Sequence, residues 1–366
     1  MKAGFHAPLP PARTGVADYA SSLLGALRRL GDVQDDAQQA DIRLYHIGNN
    51  QLHAAIHDRC LREAGVVVLH DAVLHHFYLG QLDRMAYVAE FAYNYGLWTV
   101  DCAEGLWKTR ARSGGDPRYF AYPMLRRVAE RALAVVVHNP EAAALVRAHA
   151  SFVDIVEIPH LFEMPALPTP DEIARTRADL GASPATHVFA VFGHLRESKR
   201  LPAILRAFAR IRTSVDCRLL IAGEFASGDL ERTLAPALRG EGVVRRPYAP
   251  EADFWRLAAS VDSVINLRYP AAGETSGIAV RLMGIGKPLL LSAQREIARI
   301  PEGACICIDH GPAEEDMLAE SMLWLARNPD AGRAIGRAAA AHIAAEHSLD
   351  RVAARYWQVL AGCYHK

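Results

Sequence analysis

The chain has 366 residues, 51% apolar and 22% charged, enough for two ordinary domains with sizeable cores and too apolar for disorder. Its 41 basic residues balance 41 acidic ones, which argues against a dedicated nucleic-acid binder. The six cysteines form no CxxC pair and no zinc-like spacing.

The N-terminus, MKAGFHAPLPPARTG, carries no signal-peptide core, and no apolar run approaches the ~20 residues needed to cross a bilayer. The expectation is a soluble, cytoplasmic protein. Short β-branched runs predict strands over 2–6, 42–47, 66–70, 134–138 and 153–158. The scheme repeats over 187–193, 217–222, 243–246, 263–267, 288–292 and 305–308. Helix-period segments, such as 15–30 and 201–213, lie between them. Short apolar strands alternating with helices predict parallel sheets covered on both faces. Two such sets predict an α/β protein of two Rossmann-like domains. The boundary is expected within 160–184, where Pro165, Pro168 and Pro170 crowd. This gives domains over 1–165 and 166–345, with a C-terminal helix from 346 to 366 packing back on the first. Cys305 and Cys307 are expected on one face of a buried strand.

The first strand ends at His6, and Gly15 opens the helix after it, where backbone can approach a ligand phosphate or simply pack. No GxGxxG is present, so an NAD fingerprint is excluded. The pair His70-Asp71 sits where the strand over 66–70 ends, and open α/β folds bind ligands beyond the carboxyl ends of their strands. A histidine there can donate to a hydroxyl or move a proton, or serve the structure alone. His75 and His76 lack the spacing of a metal site. Between 71 and 131 no strand is expected, yet 11 of the chain's 28 aromatics fall there. This helical insertion reads either as aromatic packing between helices or as an acceptor surface. Asn139 fits a helix N-cap with Pro140 behind it. After the strand over 187–193 come Gly193, Arg196 and Lys199, which suit a phosphate clamp.

The segment at 273–288, GETSGIAVRLMGIGKP, joins two apolar runs. A turn of small residues opens a helix there, and Gly286 closes it. Unpaired amides at a helix start suit a diphosphate. Glu274 at the mouth would repel phosphate, so it suits hydroxyls. A carboxylate for hydroxyls beside amides for phosphate describes a nucleotide-sugar site.

These segments make the chain resemble the retaining family-four glycosyltransferases, whose two Rossmann domains face a cleft (the GT-B fold). The resemblance runs nearly end to end: LPPARTGVADYA at 9–20, VVVLHD at 66–71, VVHN at 136–139, EIPH at 157–160, FGHLRESKRLPAILRAF at 192–208, LIAGE at 220–224, and the 273–288 segment. It implies that Gly15 and Gly193 border the donor, and that His70 sits by the transferred sugar. Arg196 and Lys199 would neutralise the diphosphate. Glu274 would hold sugar hydroxyls while Thr275, Ser276, Gly277 and Ile278 offer amides, and Tyr248 would meet the base. Two departures stand out. Arg281 occupies the place of the family's second glutamate, which grips the ribose, and His194 replaces the arginine usual after Gly193.

The resemblance implies a retaining, metal-independent transfer from a nucleotide-diphosphate-sugar to a hydroxyl acceptor, with no cofactor beyond the donor. The acceptor would be a glycan, a lipid-linked chain or a small molecule, with mannosyl transfer one possibility. Lys108, Arg110, Arg112, Arg118, Arg126 and Arg127 make the insertion basic, which suits an anionic or membrane-held acceptor and peripheral membrane association. The rivals are an epimerase or hydrolase on the same fold, and a nucleotide-sugar-binding protein that has lost catalysis.

Overall fold

The computed structural model describes residues 1–12 and 14–365; Arg13, in the 9–20 segment, lies outside them. The first sheet contains β1 (Lys2–His6), β2 (Asp32–Asp35), β3 (Ile42–Ile47), β4 (Val66–Leu69), β5 (Ala134–Val137) and β6 (Ile155–Glu157), in the order β2-β1-β3-β4-β5-β6. The second contains β7 (His187–Phe192), β8 (Cys217–Ala222), β9 (Val243–Arg246), β10 (Ser263–Asn266), β11 (Leu289–Ser292) and β12 (Ile306–Ile308), in the order β12-β11-β10-β7-β8-β9. Every strand pair is parallel.

Alternate side chains of fully buried strands face opposite cores, which explains the layering. In β4, Val66 and Val68 join Phe5, Leu23 and Leu27 on one face, while Val67 and Leu69 join Tyr45, Phe77 and Phe91 on the other. In β7, Val188, Ala190 and Phe192 face one core, and Phe189 and Val191 face the second. Each fully buried side chain of this size contributes roughly 1.5–3 kcal/mol, so both faces must be covered.

The helix Gly15–Leu30 starts where the Thr14 hydroxyl accepts from the Ala17 amide at 3.1 Å. The C-terminal helix Leu349–Tyr364 lies against it, burying Val352, Tyr356 and Leu360 in the core that holds Phe5. Tyr356 and Tyr19 bond through their hydroxyls at 2.9 Å in that core. The chain passes between domains at two adjacent points, where the Phe162 amide donates to the His347 carbonyl at 2.7 Å.

The segment between β4 and β5 is helical, with Arg84–Tyr95 and Val100–Thr109 its longest helices. Its aromatics divide: Phe77, Tyr78, Tyr87, Phe91 and Tyr119 are core, whereas Trp98 is 86% exposed. Two sequence expectations need correction. The strand β2 was not anticipated, because in DVQD only Val33 is buried. Cys305 and Cys307 do share a face, their sulfurs 3.9 Å apart, but β12 is a sheet edge and Cys307 is exposed.

Candidate active site

The carboxyl ends of the two sheets face each other and are joined there by three hydrogen bonds, two of them to backbone carbonyls. The Ala72 amide donates to the Ala272 carbonyl at 2.9 Å. Asn139 caps its own helix through the Ala142 amide and also donates to the Gly273 carbonyl and the Thr275 hydroxyl, both at 3.0 Å. Gly273 has φ +66°, and a Cβ there would stand 2.8 Å from the Ala72 Cβ, so only glycine allows this approach. The insertion closes one end: a Cβ on Gly114 would lie 3.3 Å from a Glu197 oxygen.

On the second-domain wall, Gly193 ends β7 with φ +89°. A Cβ there would stand 3.7 Å from Lys199 Nζ and 3.4 Å from Ile278 Cγ1, so these three residues meet at one point. Lys199 is 6% exposed and donates to the Phe192 carbonyl at 2.6 Å. Burial, then the charges of Arg268 and Arg196, push its pKa down to about 7. Arg196 is exposed at the rim. Neither cation has a carboxylate within ion-pairing distance among the described residues.

Behind them starts the helix Gly277–Gly284, capped by the Ser276 hydroxyl on the Ala279 amide. The amides of Thr275, Ser276, Gly277 and Ile278 donate to no acceptor among the described residues. A Cβ on Gly277 would stand 3.1 Å from His160 Nε2 of the first domain, placing this helix start against the opposite wall. Glu274 is less free than its position in the sequence suggests. One oxygen pairs with Arg268, and the other accepts from the Ala272 amide at 2.7 Å.

The first-domain wall is built mainly of histidines. His70 is buried, its Nε2 2.9 Å from His46 Nδ1, and Tyr19 packs edge-on against it with ring centroids 5.0 Å apart. Burial, reinforced by His138 and His46, holds its pKa well below the usual histidine range. A neutral His70 cannot serve as a cation or a ready proton donor at neutral pH. Asp71 is the residue of this pair that senses the second domain. It accepts from the Asn49 amide at 2.8 Å, and burial together with Glu274 raises its pKa against the pull of Arg196 and Arg268. The cleft therefore holds two neighbouring carboxyl groups, whereas the sequence pointed only to Glu274.

A second cluster forms along the same helix. Arg281 pairs with Glu251 and lies over the Phe254 and Trp255 rings at 4.4 and 4.5 Å. Burial lowers its pKa, opposed by Glu251, Asp18 and Tyr248. Asp18 comes from the helix that Gly15 opens, and its own pKa is raised by burial and then by Glu251. Gly15 itself borders open space, with no atom within 4 Å of an added Cβ. Tyr248 is 52% exposed. Of the sequence candidates, Gly193, Lys199 and Ile278 thus meet at one point within reach of the charge of Glu274, and Arg281 senses Tyr248 and Asp18, which lies on the helix that Gly15 opens. His70 faces inward.

Arg268, Asp71 and Glu251 were missed. Arg268 lies just past the end of β10, so the strand-end rule that singled out His70 could have found it. Among the described residues, no group of three or more His, Cys, Asp or Glu side chains could hold a metal ion.

Neither a family model nor a curated protein sequence matches the chain. Solved structures do. Sucrose-phosphate synthase from Thermosynechococcus elongatus is 15% identical, with a TM-score of 0.70 over 99% of this chain and 98% of that one. Anabaena Alr3699/HepE, solved with UDP-glucose, is 14% identical, with a TM-score of 0.66 over 99% and 100%. WaaG, a glycosyltransferase involved in lipopolysaccharide biosynthesis, is 15% identical, with a TM-score of 0.65 over 99% and 100%. The chain has the GT-B fold of these glycosyltransferases: two Rossmann-like domains around a cleft.

Proposed function

We propose that this protein is a retaining, metal-independent glycosyltransferase of the family-four type, taking a nucleotide-diphosphate-sugar donor. The observation that carries this reading is the second-domain wall. There a buried Lys199 without a carboxylate partner feels the charge of Arg196 and lies beside Ile278, one of four residues at a helix start whose amides have no acceptor among the described residues. A desolvated cation beside a helix start calls for an anion, and a diphosphate leaving group supplies one that grows more negative as the sugar departs. Each well-placed donor of this kind stabilises the transition state by about 3–4 kcal/mol. The binding of UDP-glucose by the structurally similar HepE supports the same donor class.

In this reading, Arg196 and Lys199 hold the diphosphate while the amides of residues 275–278 meet its oxygens. Arg268 orients Glu274 towards the sugar. Gly15, Tyr248 and Arg281 border the nucleoside. The acceptor hydroxyl enters from the insertion side and attacks the face the leaving group vacates.

Donor hydrolysis is the second reading, favoured by one observation: a buried Asp71, its pKa raised by burial and then by Glu274, puts two carboxyl groups in the cleft. Two neighbouring carboxyl groups can handle water. Incubation with a panel of nucleotide sugars, with and without glycan acceptors, separates the readings by nucleotide release. Transferase activity gives acceptor-dependent release with slow background hydrolysis. Fast release that no acceptor accelerates favours the hydrolase, and no release from any donor overturns both.

A further inference from the structure

The second sheet ends at β12, whose outer side has no neighbouring strand among the described residues. Cys305 just precedes this strand and Cys307 lies within it. Ile306 between them turns to the core that holds Phe189, whereas Cys305 packs against the opposite core, with Leu291 and Ala304. Alternation along the strand thus puts both thiols on one face, their sulfurs 3.9 Å apart. Among the described residues each sulfur has the other as its hydrogen-bond partner. Cys305 is half-buried and Cys307 exposed, so the pair is open to solvent from one end. It lies outside the cleft: the order β12-β11-β10-β7 sets it about 14 Å across the sheet from the strand that Gly193 follows.

Bond lengths decide what two thiols at this spacing can take. Residues i and i+2 of a strand lie about 6.6 Å apart at Cα, near the upper limit for a disulfide, so direct closure would distort the backbone. An ion between the sulfurs needs no such closure. Two metal–sulfur bonds of about 2.3 Å, drawn from sulfurs 3.9 Å apart, meet at roughly 115° with the backbone left in place. Thiolates select soft ions, Cu(I) or Zn(II), over the hard ions that oxygen ligands prefer. Zinc calls for four ligands, and among the described residues no third His, Cys, Asp or Glu joins the pair. Cu(I) is satisfied by two.

We propose that Cys305 and Cys307 form a two-thiolate site for Cu(I) at the open edge of the second sheet. Each thiol releases its proton to solvent as its sulfur bonds the ion, which leaves a singly negative complex. The exposed Cys307 is the point of entry, and Cys305 completes the clamp from the core side.

Anaerobic titration of the reduced full chain tests this, with Cu(I) held by bicinchoninate as a colorimetric competitor. The expected result is one Cu(I) withdrawn per chain, with an affinity about a hundredfold or more lower in Cys307→Ser. Cys307 is exposed, so that variant keeps the fold; Cys305→Ser reads the same loss from the half-buried side. Cys102→Ser removes the exposed thiol of the insertion and should leave the affinity unchanged. No copper withdrawn, one ion shared between two chains, displacement by equimolar Zn(II), undiminished affinity in Cys307→Ser, or an equal loss in Cys102→Ser would each overturn the proposal.

Discussion

The two walls of the cleft are built on opposite electrostatic plans. The first-domain wall is a buried assembly of His46, His70, His138, His160, Tyr19 and Tyr356, held together by ring contacts and neutral hydrogen bonds. The second-domain wall carries Arg196, Lys199 and Arg268 around a helix start. His70 and His138 follow strands of the first sheet as Gly193 and Arg268 follow strands of the second. The difference teaches that strand-end position marks a site without assigning its role. A neutral wall suits a sugar and an acceptor, whereas a cationic wall suits a departing diphosphate.

The comparison can be broken by showing that the walls are interchangeable. The largest effect is expected from Lys199→Ala. It should cut turnover by about 100-fold or more, because one electrostatic donor in a dry site is worth that much, while the melting temperature changes little. Wild-type kinetics in a folded variant would remove the cation from the mechanism. Tyr356→Phe should do the reverse. It leaves the Tyr19 hydroxyl buried without its partner and should cost about 1–3 kcal/mol in denaturant unfolding, with nucleotide affinity unchanged. A loss of affinity matching the loss of stability would show that the neutral wall also grips the nucleotide.

Smaller effects sharpen the contrast. Glu274→Gln should weaken the full donor about tenfold more than free UDP, as read by parallel titrations, because its carboxylate serves the sugar in this account. Equal losses would move Glu274 to the nucleotide. Reversing Lys108, Arg110 and Arg112 together should lower transfer to an anionic acceptor several-fold, roughly 1 kcal/mol in all, and spare donor hydrolysis. Parallel losses would make the insertion structural. The expected basic strip is in any case smaller than its sequence suggests, since Arg118 pairs with Asp116, Arg126 with Glu130 and Arg127 with Glu90.

Much of the fold was legible because its signals are local. Short apolar runs mark β3 and β7, and a 3.6-residue apolar period marks the helix Leu349–Tyr364. The polar edge strand β2 was illegible because it exists through pairing with β1, not through its own pattern. In the site, Gly193, Lys199 and the 273–288 turn could be read from position after a strand. What could not be read was proximity between domains. Asp71 gains meaning only beside Glu274, and Asn139 reads as a cap until Gly273 and Thr275 arrive at 3.0 Å. The burial of Lys199 belongs to the same class, since local sequence gives no hint that its amine turns to the Phe192 carbonyl.

The central claim is that Lys199 is a desolvated cation waiting for a diphosphate, and its pKa of about 7 makes that measurable. Below about 7 the amine holds its proton and can pair with the ligand at once; above it, binding must first restore the proton. Calorimetric titration of UDP from pH 7 to 9 in wild type and Lys199→Met reads this directly. The account predicts an affinity that falls as pH rises, approaching tenfold per pH unit, with proton uptake on binding and no such slope in Lys199→Met. A flat wild-type profile, or the same slope in both proteins, would contradict it.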